Sequence, residues 1–513
     1  MDVETELKLR ITPEQLAKLK RHALFKTLSD TRPVTRHLYN IYYDTPKLEL
    51  HDSEVALRLR HIGRQWLQTL KGGGSVQAGL HQRNEWEVPV SGPALDFSVQ
   101  GVAWDEHLPK ALRKKLQPVF VTDFFRTSRM LNFRGAQIEL CMDSGVICTE
   151  QRSVQVCELE LELKSGEPGP LFELALAILE VVPFELETIS KAEQGYRLLC
   201  EYIDQPVKGV APAIAGEDML ADALKALIWS CLLHFQSNLP GVMRDRAMGS
   251  DDAEYLHQMR VALRRLRVVL RMVEKVCADR RLAELYADAS ILCVALGHIR
   301  EWDVFIAGTV QPICVHMLGH TGLQVLGAVS ERQRAACYAT LRTVTHASDM
   351  QRLLLHFAIW MGSDYWQQAV WQQPAITQSV YDFAARRLRK LAKRFAQSVQ
   401  QLNTADAAQL HALRIVAKKL RYSAEFFASL FNKQRVGIYL AALSEIQEVL
   451  GQINDAVVAH RLLDGLAADT DLAGHLEAIV LVRGWIARDL SGQLTALRKS
   501  IQNFNEQQVF WRK

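Results

Sequence analysis

The chain of 513 residues is notable first for what it does not contain. It has no continuous apolar run of roughly 18 residues, so neither a membrane-spanning helix nor a membrane partner is expected. It opens Met1-Asp2-Val3-Glu4, without a basic n-region or an apolar h-region, and no secretory signal is expected. The nine cysteines are odd in number, scattered, and never spaced C-x-x-C. That argues against a disulfide framework or a zinc site and for a reducing cytoplasm. No G-x-x-x-x-G-K-[ST] order occurs, and Lys71-Gly72-Gly73-Gly74-Ser75 reads as a hairpin turn instead of a phosphate loop. His37, His51, His61 and His81 lack metal-ligand spacing and read as structural or exposed. Nucleic-acid recognition motifs and aromatic stacking platforms are absent, which makes DNA or RNA a poor candidate partner.

Charge and periodicity divide the chain. Residues 1–203 hold 25 Lys+Arg against 28 Asp+Glu, a net of −3, and the remainder holds 36 against 29, a net of +7. The first part alternates with period two over Val3–Ile11, Val55–His61, Trp66–Lys71, Arg83–Val90, Gln137–Asp143 and Val156–Lys164, with helical stretches at Pro13–His22 and Leu171–Val181. This predicts an α+β domain over 1–203, rich in antiparallel strands. Residues 204–217 hold two prolines and two glycines without periodicity and read as a linker. From 218 to about 505 the pattern is helical, predicting an all-α domain.

Several strands carry charge on one face. Glu4, Glu6 and Lys8 alternate with apolar neighbours, as do Arg58 and Arg60, and Glu158, Glu160 and Glu162. Arg83, Glu85 and Glu87 share a face, and so do Glu139, Cys141 and Asp143. One such face reads as solvated. As a set they read differently, because glutamate is a poor strand former and adjacent like charges repel. Carboxylates suit a hard divalent cation, and Lys and Arg suit phosphate oxygens. Closing the sheet into a barrel would turn these faces into a charged tunnel with an apolar exterior.

These residues resemble the CYTH, or triphosphate tunnel metalloenzyme, superfamily. The resemblance rests on Glu4-x-Glu6-x-Lys8, Tyr42-Tyr43-Asp44-Thr45, Leu57-Arg58-Leu59-Arg60, Leu70-Lys71-Gly72, Glu85-x-Glu87, Glu158-x-Glu160-x-Glu162 and Ser190-Lys191-x-x-x-Gly195-Tyr196, in the family's order. It implies an eight-stranded antiparallel tunnel that depends on Mg²⁺ or Mn²⁺. Glu4, Glu6, Asp143, Glu160 and Glu162 would hold metal. Lys8, Arg58, Arg60, Lys71, Lys191 and Arg126, or its neighbour Arg129, would grip triphosphate. Glu85, Glu87 and Glu158 would be tunnel acids and, with Glu4, Glu6 and Lys8, the catalytic set, the glutamates positioning the attacking water and taking its proton and Lys8 stabilising phosphate charge.

The helical part contains an internal repeat. His257-x-x-Arg260-x-x-x-Arg264-Arg265-x-Arg267 matches His411-x-x-Arg414-x-x-x-Lys418-Lys419-x-Arg421, and Leu296-Gly297-x-Ile299 matches Leu450-Gly451-x-Ile453, both at an offset of 154. Two bundles, about 218–370 and 371–505, are expected. His257, Arg260, Arg264 and Arg267 fall within about 80° on a helical wheel, opposite the apolar positions. His411, Arg414, Lys418 and Arg421 repeat the stripe. Such a row of like charges calls for an anion. The pattern resembles the CHAD domain, which implies binding of inorganic polyphosphate and, with the cytoplasmic location expected from the cysteines, association with polyphosphate granules. Arg300 and Asp303 in the first motif have no exact counterparts in the second, where Asn454 and Asp455 stand. The two histidines could be phosphate-binding cations or helix buttresses. The chemistry expected is hydrolysis of inorganic triphosphate. Thiamine triphosphatase, adenylate cyclase and a non-catalytic polyphosphate adaptor are the alternatives.

Overall fold

The computed structural model describes residues 2–77, 79–98, 102–243, 250–276, 279–362 and 379–511. The expected boundary between the two helical repeats, near 370, lies outside the described residues. The chain forms two compact units, Met1–Asp204 with Val344–Ser363, and Gln205–Thr343 with Asp364–Lys513. Residues 202–215 form neither helix nor strand.

The first unit is a barrel of eight antiparallel strands, the architecture that alternation and resemblance predict. The strands are β1 (Asp2–Arg10), β2 (Val34–Asp44), β3 (Val55–Ile62), β4 (Gln65–Gln77), β5 (Leu80–Val90), β6 (Gln117–Phe133), β7 (Ala136–Cys148) and β8 (Ser153–Ser165). Their order is β5-β4-β3-β2-β6-β7-β8-β1, and pairing of β1 with β5 closes the ring. A two-residue strand, β9 (Glu185–Leu186), joins the outer flank of β1. Alternate residues point outward. Leu7, Leu9, Leu159 and Leu161 are fully buried there, on the side of the sheet where α1 (Pro13–Arg21) and α2 (Gly169–Leu179) pack against β8. At one end, inward Tyr42, Phe120, Ile147 and Val156 pack with Ala192 and Tyr196 of α3 (Lys191–Leu199), which fills that end of the barrel.

Two strands escaped the alternation rule. In β2 the buried positions include Asn40 and Asp44, so its inward face is not apolar. In β6 Phe and Val occupy both faces. Lys71–Ser75 is a correction to the expected hairpin turn. It continues β4 as a β-bulge, with the register shifting between Gly72 and Ser75. Gly73 and Gly74 have φ of 65° and 116°, and a Cβ on Gly74 would stand 2.0 Å from the Gln82 carbonyl oxygen. Turn and bulge both demand glycine at positive φ; only the strand pairing separates them.

The second unit is all-helical: α4 (Leu220–Met243), α5 (Ser250–Val273), α6 (Arg280–Phe305), α7 (Thr321–Leu341), and, past α8 (Val344–Gly362) of the first unit, α9 (Val380–Gln400), α10 (Ala407–Phe426), α11 (Lys433–Leu466) and α12 (Leu476–Asn505). One core joins α9–α12, and another joins the end of α6 with α7, α11 and α12. The repeated motifs lie on α5/α6 and α10/α11. The helical run Arg280–His316, with mean hydropathy 1.4 over its most apolar window, is long and apolar enough to cross a membrane by length and composition. Counting uninterrupted apolar residues misses it, because charged residues punctuate it; 39% of that window is buried within the protein.

Buried Asp44 ties the barrel together locally. Its carboxylate accepts from the backbone N–H of Thr45 (2.6 Å), Leu50 (2.9 Å) and His51 (3.0 Å) and from the Tyr196 hydroxyl (2.9 Å). Asp44→Ala orphans these donors and is expected to lower the unfolding free energy by about 3 kcal/mol in urea titration. A loss below about 0.5 kcal/mol would mean that water replaces the carboxylate at little cost.

Candidate active site

The inward side chains of the barrel line one cavity of about 1350 Å³. Glu4, Glu6, Lys8, Arg58, Arg60, Lys71, Glu85, Glu87, Arg126, Glu160, Glu162 and Lys191 all face it. Strand register sets acid against base. Lys8 lies opposite Glu160, Lys71 opposite Glu85, and Arg126 opposite Asp143. Directly opposed charges of unlike sign stabilise an antiparallel pair.

The deepest group is an interlocked cluster. Arg126 donates to both oxygens of Asp143 (2.8 and 2.6 Å) and also to Glu160. Lys191, from the first turn of α3, reaches Asp143 (2.6 Å), Glu160 (2.9 Å) and Glu158. Lys8 bridges Glu6 (2.8 Å) and Glu160. Carboxylate oxygens of Asp143, Glu158 and Glu160 lie within 4.8 Å of one another, a grouping able to hold a metal ion. Burial alone would raise the Glu160 carboxyl, but Arg126, Lys191 and Lys8 hold it well below the usual range. Burial likewise opposes ionisation of Asp143, and Arg126 and Lys191 overcome it. Glu158 goes the other way: burial pushes it up to about 7 despite Lys191 and Lys8.

A second group lies along β1, β3, β4 and β5. Lys71 bridges Glu4 and Glu85 (3.1 Å to the latter), and Arg58 reaches Glu85 at 3.2 Å. Thr69 donates to Glu87 at 2.9 Å. Arg60 donates to Asn40 at 2.7 Å, and burial with Arg58 and Arg126 nearby lowers its guanidinium to about 10. Glu6 and Glu162 are cross-strand neighbours, and Lys164 lies between Glu162 and Glu139 (3.1 Å to Glu139).

Of the acids read as metal ligands, Glu4, Glu6, Glu160 and Glu162 face the cavity, whereas Asp143 stands wholly buried behind Arg126. Glu158 joins Asp143 and Glu160. Arg126 is the lumen arginine; Arg129 instead binds the carbonyls of Thr31 (3.0 Å) and Phe25 (3.1 Å). Sequence reasoning gave no lumen role to Asn40 or Tyr42, which also line the cavity, while Arg83 lines it on the face it shares with Glu85 and Glu87. The cross-strand pairings of Tyr42 with Arg58 and Asn40 with Arg60 were the signal, visible only once β2 is placed.

In the helical unit the two basic stripes converge on a second cavity of about 840 Å³. His257, Arg260, Arg264, Arg267, His411, Arg414 and Lys418 line it; Arg421 does not, and pairs with Glu425 at 3.2 Å. Arg387, Lys390 and Arg394 of α9 also line it, a contribution the dense basic run Arg386–Arg394 could have announced. The Nε atoms of Arg264, Arg267, Arg387 and Arg414 are buried without a protein acceptor among the described residues. Burial and the neighbouring arginines push Lys418 down to about 6 and His257 to about 3. His257 is therefore neutral in the free protein. His411 faces Asn454, with Nδ1 3.2 Å from its Oδ1. Asp303 lies away from the stripes, receiving Arg334 (2.7 Å) and the Tyr338 hydroxyl (3.1 Å). The repeats also differ at their glycines. A Cβ on Gly297 would meet Arg260 Nη1 at 2.6 Å, and nothing lies near Gly451.

Comparison with known proteins bears on both cavities. Residues 2–196 match the family model described as the CYTH domain, and residues 226–464 the CHAD domain. An inorganic triphosphatase of Haemophilus influenzae is 34% identical over 201 residues, covering 38% of this chain and 54% of that relative, so the chain spans about half the length of the curated relative it matches. Among solved structures, a CHAD domain from the plant Ricinus communis is 29% identical with a TM-score of 0.49, covering 60% of this chain and 98% of that one. A putative adenylyl cyclase from Hippeastrum, described as having a dominant triphosphatase activity, is 18% identical with a TM-score of 0.31, covering 38% of this chain and 95% of that one.

The interlocked cluster makes a stability prediction. Lys191→Met leaves Asp143, Glu158 and Glu160 short of a buried cation and is expected to cost about 3–5 kcal/mol at neutral pH. Asp143 and Glu160 have depressed folded-state pKa values, so their contribution is present above the ordinary carboxylate range and is lost as pH falls through the folded values. The difference between variant and parent in denaturant titrations should therefore shrink on acidification. A pH-independent difference would refute the electrostatic account.

Proposed function

We propose that this chain, in which a CYTH domain over residues 2–196 is followed by a CHAD domain over residues 226–464, hydrolyses inorganic triphosphate with a divalent metal ion in its barrel and holds inorganic polyphosphate in the basic cavity of its helical unit. The observation that carries the reading is the barrel lining itself: carboxylates and bases interleaved around one cavity, most of them paired with one another. A chain of phosphates and a cation together can replace those internal partners on both sides. A tunnel meant only to bind polyanion needs no such complement of acids.

The donor set fits a hard cation, since every available ligand is a carboxylate oxygen. Cavity-facing Glu4, Glu6, Glu160 and Glu162 would hold it. Asp143, whose carboxylate groups with those of Glu158 and Glu160, would join them once Arg126 and Lys191 turn to phosphate. The metal, Mg²⁺ or Mn²⁺, supplies charge neutralisation and a more acidic water. Lys8, Lys71, Arg58, Arg60, Arg126 and Lys191 turn from the glutamates to phosphate oxygens and stabilise charge on the transferring and leaving groups. A tunnel carboxylate takes the proton of the attacking water. Glu85 and Glu87 line the cavity and would take that part directly, whereas Glu158, buried outside the lining and pushed up to about 7, would act through Lys191, which it contacts.

Phosphate release from inorganic triphosphate is expected with Mg²⁺ or Mn²⁺ and not with EDTA, and Glu6→Gln should reduce turnover at least a hundredfold with the fold intact by circular dichroism. Absence of metal-dependent release would end the enzyme reading. A higher kcat/KM for thiamine triphosphate or ATP than for inorganic triphosphate would overturn this choice of substrate.

For the helical unit, polyphosphate affinity should fall steeply with salt through counterion release, and fall further in the Arg260→Glu, Arg414→Glu double variant. Lys418 is largely neutral above about pH 6 in the free protein, and a bound polyanion restores its charge. Binding near pH 7.5 should therefore take up protons and weaken as pH rises. Titration calorimetry in HEPES and in Tris should give different apparent enthalpies; equal enthalpies together with salt-independent affinity would exclude this site.

A further inference from the structure

Lys191 and Lys8, the two lysines of the interlocked cluster, are joined through the backbone by a short strap, residues 185–191. Glu185 and Leu186 pair with Arg10 and Leu9 of β1. The Glu187 N–H donates to the Lys8 carbonyl (2.8 Å), and the Glu187 carbonyl accepts from His81 Nε2 (3.0 Å). The Ile189 N–H donates to the Glu187 carboxylate (2.9 Å), Ser190 caps α3, and Lys191 enters the cluster. A two-residue strand has too few ladder bonds to hold such a strap by itself, and its outer N–H groups need partners. The buried N–H of Leu186 finds one 165 residues away, donating to Gln351 Oε1 at 3.0 Å. Gln351 is 2% exposed, and its helix α8 packs on α2 and β9. The same helix is pinned to the end of α2 by an ion pair of Arg352 with Glu180.

We infer that Gln351 is a positioning residue for the tunnel: by holding Leu186 it sets the strap, and through the strap the placement of Lys8 and Lys191 on the phosphate chain. This rests on the triphosphatase reading for its activity readout alone. Because both lysines bind phosphate oxygens before and during reaction, their misplacement acts on substrate affinity more than on turnover.

The test uses the full chain and inorganic triphosphate. Gln351→Met keeps the shape and removes the acceptor; Gln351→Glu keeps an acceptor oxygen; Arg352→Ala is the control on the same helix. The expected result is a KM raised about tenfold in Gln351→Met with kcat changed less than threefold, near-parental KM in Gln351→Glu and Arg352→Ala, and faster amide hydrogen exchange at Glu187 in the Met variant. An unchanged KM, or an equal rise in Arg352→Ala, overturns the assignment. Should Gln351→Met not fold, Gln351→Asn, which withdraws the acceptor by one methylene, serves the same comparison. If the parent shows no hydrolysis, the proposed function fails, and the strap is then judged on exchange at Glu187 alone: no acceleration overturns it.

Discussion

Charges turned into the lumen of a closed barrel must be neutralised there, and the architecture of the first unit follows from that constraint. Taking an ion from water into a protein interior costs several kcal/mol unless a partner of opposite sign waits for it. Here partners come from neighbouring strands in register and from α3, so that Arg126, Lys8 and Lys191 each touch more than one carboxylate. The arrangement is self-sufficient and exchangeable at once. On the proposed function, a phosphate chain would offer the bases new acceptors and a cation would offer the acids a new partner.

The helical unit answers the same problem in the opposite way. Its cavity gathers arginines and lysines from α5, α9 and α10 with few acids among them, and the buried guanidinium Nε atoms remain without protein acceptors among the described residues. The strain shows as lowered pKa values at His257, Lys418 and Arg260, each set first by burial and then by neighbouring cations. Such a site leaves buried donors in want of an acceptor, which is what the proposed polyanion would supply. The barrel, by contrast, pairs most of its lumen cations with carboxylates, Arg58 Nε and Arg60 being among the exceptions.

Much of this was legible from residue order. The inward rows Glu4–Glu6–Lys8 and Glu158–Glu160–Glu162 were visible because period-two alternation survives when one face is charged and the other apolar. The basic stripes were visible because they recur at a constant offset. What was hidden had physical causes. β2 and β6 place Asn, Tyr or Phe on the lumen side and so lose the contrast that marks a strand. The glycines after Lys71 suit a turn or a bulge equally. The basic run of α9 reads as a solvated face until α5 and α10 are brought beside it.

The sequence by itself determined the inventory: which strands carry acids, which carry bases, where period two yields to helical period, and that the helical motifs repeat. These are local properties, set by the spacing of side chains along one element. Only the tertiary structure decided the partnerships. Strand order closed β1 onto β5, register put Lys8 against Glu160 and Arg126 against Asp143, and packing brought Gln351 to the amide of Leu186. Pairings between residues far apart in the chain depend on the free energy of the whole barrel. No local pattern encodes that sum.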